Sequence, residues 1–108
     1  MTGAETRAWL EQEIAIFPER APGEELYAYL IKRTASLVES DRCSLVKALA
    51  EWLKLRSEPR TMLAVEIAKT HHLAELRNDI EELLDDVRKG RAFKSFYQKP
   101  ISDALNEL

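Results

Sequence analysis

Cysteine is nearly missing from this chain: Cys43 is the only one in 108 residues, so no disulfide can close within it. A lone free thiol favours a reducing compartment. Glycine (three) and proline (four) are also scarce, too few for the many tight turns of an all-β fold. Each proline stands between helical patterns or at the start of one, where a missing amide hydrogen does no harm. No apolar run approaches the ~20 residues that cross a bilayer. The opening residues MTGAE have neither the basic lead nor the apolar centre of a secretory signal. Charge of one sign is not in large excess either. A net charge of -3 gives no global attraction to nucleic acid or anionic lipid. Glycine-rich phosphate loops, nucleophile elbows and zinc-finger spacings are all lacking. These absences predict one soluble helical domain over residues 1–108, cytoplasmic, without membrane contact, catalytic residues, bound metal or cofactor.

What is present is a 45% apolar and 32% charged mixture, ordinary for a folded chain. Its firmest pattern runs from Ser57 to Gly90 and reads as two helices joined by a tight turn. Ser57 is the candidate N-cap, and Glu58 and Pro59 suit a first helical turn. Met62, Leu63, Val65, Ile67 and Ala68 make the first of these helices apolar around much of its circumference. In the second, Leu73, Leu76, Ile80, Leu83, Leu84 and Val87 recur at three- and four-residue steps. Arg88 and Lys89 meet the negative helix end, and Gly90 suits a left-handed cap.

The rest of the chain reads as helices too. Thr2 and Glu5 have capping-box spacing, and Trp9, Leu10, Ile14 and Phe17 supply an apolar side that Pro18 ends. Pro18 to Gly23 is a turn by composition. A second helix is expected over Glu24–Val38, with Leu26, Tyr29, Leu30, Ile31 and Leu37 inward. A third is expected over Arg42–Leu55, capped by Ser40 or Asp41, with Leu45, Val46, Leu49, Trp52 and Leu53 inward. After Gly90 comes a short helix or turn whose aromatics are assigned to the core. Pro100 then opens a last short helix with Ile101, Leu105 and Leu108 apolar. Five to six helices in antiparallel hairpins follow from this reading.

The second and third helices echo the fourth and fifth. At an offset of 33, Tyr29, Leu30, Thr34 and Ala35 fall on Met62, Leu63, Ile67 and Ala68. At an offset of 31, Leu45, Leu49, Trp52 and Leu53 fall on Leu76, Ile80, Leu83 and Leu84, and Glu51 falls on Glu82. The run from Glu58 to Ala68, a short polar turn, then Leu76, Ile80, Leu83, Leu84 and Asp86-Val87 resembles a HEAT-type repeat, closest over residues 58–89. The resemblance implies a short right-handed helical stack, an architecture that binds other proteins and carries no catalytic residues of its own. The prolines of the Pro18–Gly23 turn and the aromatic tail depart from a regular array, and the alternative is a compact helical bundle.

Candidate functional residues are polar and dispersed. Glu75, Asp79, Glu82 and Asp86 are spaced four, three and four, lining one face opposite the apolar seam of the fifth helix. With Glu51 they form the candidate surface for a protein partner of basic character. Arg77 is placed to offset Glu81, and Lys89 to offset Asp85. Arg88, Lys89, Arg91 and Lys94, interleaved with Phe93, Phe96 and Tyr97, form a candidate anion-binding segment and the basis of an alternative reading as a nucleic-acid-associated regulator. Assigning the aromatics to the core and the first two bases to the helix end makes nucleic acid the less favoured partner. A self-assembling structural element is the third reading, since short stacks expose apolar end faces. His71 and His72 read as polar turn residues, and Cys43 as a half-buried residue near a helix start.

Overall fold

The computed structural model describes residues 2–16 and 23–108. Six α-helices account for most of them: α1 (Gly3–Ile16), α2 (Gly23–Ser40), α3 (Arg42–Leu55), α4 (Glu58–Thr70), α5 (Arg77–Arg88) and α6 (Gln98–Glu107). Single 3-10 turns at Ala74–Leu76 and Ser95–Tyr97 lead into α5 and α6, and no strand occurs among the described residues. The fold is all-α. The expected positions of Phe17, Pro18 and the turn after them lie outside the described residues. By contacts the chain divides into two compact units, 1–49 and 50–108, with the division falling inside α3.

In the first unit, α1 begins with the expected capping box. The Glu5 amide donates to Thr2 Oγ1, and the Thr2 amide donates back to Glu5 Oε1, both at 3.1 Å. These bonds hold the Glu5 carboxyl below its ordinary range, the Thr2 backbone contributing most. Gly3 lets α1 approach α3 closely, because a Cβ there would stand 2.8 Å from Lys47 Cβ. The buried residues include Leu10, Leu30, Leu37, Leu45, Ala48 and Leu49, together with Thr6, Glu13 and Thr34. Trp9, Ile14, Leu26, Tyr29, Ile31 and Val46, all assigned inward, are only half-buried.

Buried Glu13 is unusual for an apolar face, and its partners explain it. Arg33 donates to Glu13 Oε1 at 3.0 Å, and the Tyr29 hydroxyl donates to Oε2. Arg33 also lies 5.7 Å from the Trp9 ring centroid. The Tyr29 hydrogen bond first, and Arg33 second, hold the Glu13 carboxyl below the usual carboxylate range. One buried charge thus ties α1 to α2.

The second unit is built on the predicted hairpin. Leu73, Leu76, Ile80, Leu83, Leu84 and Val87 are all buried, as are Leu63, Ala64, Val65, Ile67 and Ala68 on α4. Ser57 is the N-cap in extended geometry, although its side chain makes no cap hydrogen bond, and Pro59 sits in the first turn. α6 packs on both α4 and α5, burying Ile101 and Ala104. It starts at Gln98, two residues before the expected Pro100.

Two helix ends in this unit close by the same device. After α5, the Gly90 amide donates to the Val87 carbonyl and the Arg91 amide to Asp86, with Gly90 at φ 73°. After α4, the His72 amide donates to Lys69 and the Leu73 amide to Ala68, with His72 at φ 53°. Both are Schellman closures; the second uses a histidine where glycine is usual. At the end of α3, Arg56 also takes a left-handed φ of 53°, its amide donating to Leu53. That turn leaves the Trp52 carbonyl for the buried Thr61 hydroxyl, which donates to it at 2.8 Å.

Candidate functional site

The predicted acidic row does not survive as one uniform surface. Glu75 sits on the 3-10 turn before α5 rather than on α5 itself, while Asp79, Glu82 and Asp86 follow along the helix. Glu75 and Glu82 are exposed, and Asp79 and Asp86 are half-buried. Asp86 is committed within the molecule. Arg56 Nε and Nη2 both donate to its Oδ2, at 3.2 and 2.8 Å, and Arg91 stands 3.8 Å from its Oδ1. The same guanidinium caps α3, Nη1 donating to the Leu53 carbonyl at 2.6 Å. Arg56 therefore joins the end of α3 to the last turn of α5.

Ion pairing on α5 also departs from the expected pattern. Lys89 does pair with Asp85, at 2.8 Å, and this hydrogen bond holds the Asp85 carboxyl below its ordinary range. Arg77 turns away from Glu81 and donates to the Leu105 carbonyl at 3.3 Å. Among the described residues, Asp79, Glu81 and Glu82 consequently have no cationic partner. The unbalanced part of the surface is thus the front and middle of α5. Glu51 is exposed on α3, in the second unit.

The segment after α5 differs most from expectation. Phe96 is 64% exposed, and Phe93 and Tyr97 are only half-buried, so these aromatics do not fill the core. They form a small ring cluster instead. The Phe96 and Tyr97 centroids are 4.4 Å apart with a tilt of 31°, and Phe93 stands 5.5 Å from Tyr97. The Tyr97 hydroxyl donates to Glu58, which anchors the cluster to the start of α4. Phe93 has φ 55°, a left-handed conformation that costs a bulky residue on the order of 1–3 kcal/mol.

Two regions distant in sequence therefore meet at one end of the second unit. The α3–α4 turn, the last turn of α5 and the segment after Gly90 are joined by Arg56–Asp86, Arg91–Asp86 and Tyr97–Glu58. Leu55, 48% exposed, ends α3 immediately before that turn. Arg88, Lys89, Arg91 and Lys94 are all exposed, and Arg88 and Lys94 have no ion-pair partner among the described residues. Sequence reasoning missed Leu55, Arg56 and Glu58 here. Leu55 follows the apolar stripe of α3 as its last member, and nothing in the order of residues marks it as uncovered.

His71 is half-buried; His72 is exposed, with Nδ1 2.6 Å from the Glu107 carbonyl oxygen. Cys43 is exposed rather than half-buried. Among the described residues no group of three His, Cys, Asp or Glu is arranged to hold a metal ion. No helix among them is long and apolar enough to cross a membrane. No protein-family model, curated protein or solved structure matches this chain.

Proposed function

We propose that this chain is a non-catalytic protein-binding module whose acidic α5 face docks a partner with a basic surface. The observation that carries the reading is the unbalanced charge of Asp79, Glu81 and Glu82 beside exposed Glu75. Asp79 and Glu82 stand three residues apart on α5, neighbours on one face, and such a like-charge pair on a helix costs roughly 0.2–0.5 kcal/mol. A cationic partner relieves such repulsion and is steered towards it before contact. The α4–α5 hairpin, with its HEAT-like pattern, is the scaffold this reading uses. It calls for no cofactor, and a cytoplasmic setting suits the lone exposed thiol of Cys43.

Asp86 belongs to the support of the surface rather than to its contact face, since Arg56 already holds it. The test is charge reversal of Glu75, Asp79 and Glu82 to lysine, followed by capture of basic proteins from native lysate at low and physiological salt. Capture is expected to fall at least tenfold while far-ultraviolet circular dichroism stays unchanged. Equal capture by the reversed variant removes the acidic face from the reading.

A further inference from the structure

The ring cluster after α5 presents an exposed aromatic face with uncommitted cations beside it in the chain. Phe96 is 64% exposed against Tyr97, and Lys94 immediately precedes their 3-10 turn. Between residues 88 and 99 there are five bases and no acid. Of the carboxylates nearest in the chain, Asp85 pairs with Lys89 and Asp86 with Arg56, while exposed Glu58 is the carboxylate that touches the cluster, accepting the Tyr97 hydroxyl. Asp103, further on, faces Lys99 at 3.9 Å. The unbalanced acids of α5 stand back along its axis. Glu82 and Asp79 precede Asp86 by four and seven residues, about 6 and 10 Å at 1.5 Å per residue. Measured from Asp86, Asp79 thus stands beyond the Debye length of ~8 Å at physiological salt and Glu82 within it, so the charge of Asp79 is the better screened of the two.

We infer that this end of the second unit binds single-stranded nucleic acid, a base stacking on Phe96 while Lys94, Arg91 and Arg88 meet the adjoining phosphates. An exposed ring offers the same π-face to every base, so binding is tolerant of sequence. Charge complementarity selects a polyanion, and the flat ring selects one that carries unpaired bases. An acidic peptide satisfies only the first condition, and duplex DNA hides its base faces. The Tyr97–Glu58 hydrogen bond ties the cluster to the start of α4 before any ligand arrives. This site is separate from the acidic face that docks a protein, and neither proposal depends on the other.

The experiment is fluorescence anisotropy of a labelled oligothymidylate titrated with the full chain at low and at fourfold higher salt. Two to three phosphate contacts predict that affinity falls roughly tenfold across that range. Phe96→Ala is expected to weaken binding about fivefold or more, as loss of one stacked base should. Because Phe96 is exposed, its replacement leaves the thermal midpoint unchanged. Lys94→Gln should weaken binding and flatten the salt dependence. Lysine reversal of Glu75, Asp79 and Glu82 should not weaken it, which separates this site from the protein-docking face. No anisotropy change at low salt, wild-type affinity in Phe96→Ala, or equal competition by polyglutamate would each overturn the inference.

Discussion

Replacing Thr61 by valine removes one hydroxyl from the interior of the second unit and keeps the side-chain shape. Thr61 is fully buried, and its hydroxyl donates at 2.8 Å to the Trp52 carbonyl of α3. In a continuing helix that carbonyl would accept the amide of residue 56. Arg56 instead turns into the left-handed region and gives its amide to Leu53. Valine at 61 therefore leaves a buried acceptor without this partner, a loss of about 1–3 kcal/mol. At roughly 4–8 °C per kcal/mol for a domain of this size, the thermal midpoint should fall by about 4–24 °C. The assay is urea unfolding followed by Trp52 fluorescence in a Trp9→Phe background, so that the signal reports on the second unit alone. Thr61→Ser keeps the hydroxyl and gives up only one methyl, about 1 kcal/mol. Valine should thus be at least as destabilising as serine. A valine variant matching wild type at an unchanged denaturant slope would refute the argument that Thr61 completes the end of α3.

Two further outcomes follow from the same reasoning. Because Tyr29 and then Arg33 depress the Glu13 carboxyl below its ordinary 4.5, this charge stabilises the first unit fully above that value. The contribution is lost as pH falls below 4.5 and through the lower folded pKa. The stability gap between wild type and Glu13→Gln, measured by denaturant unfolding, should be wide at neutral pH and close in acid; a constant gap would refute it. Gly90→Ala meets no atom within 4 Å, so its whole cost is the left-handed φ of 73°, about 1–2 kcal/mol. Unfolding of the alanine variant should show that loss with no change in far-ultraviolet circular dichroism.

Features read correctly from the order of residues are those decided within a turn or two of helix. The Thr2–Glu5 capping box, Ser57 followed by Pro59, the apolar seam from Leu73 to Val87 and the left-handed Gly90 all depend on near neighbours. Pattern and propensity act over that range, so they identify helices and name most inward residues. The errors share an opposite cause. Phe93, Phe96 and Tyr97 are apolar enough for a core, but whether a core receives them depends on what α4, α5 and α6 already cover. Asp86 lies on the same row as Glu82, yet it is claimed by Arg56, 30 residues earlier in the chain. Arg77 had Glu81 at the favoured spacing and bonded the Leu105 carbonyl instead.

By itself, then, the sequence determined the all-α class, the central hairpin and its stops, because backbone hydrogen bonding and helix periodicity are local. Only the tertiary structure decided which carboxylates keep an unbalanced charge and which rings stay in water. Both depend on side chains brought together from distant positions, where burial and ion pairing compete for the same groups.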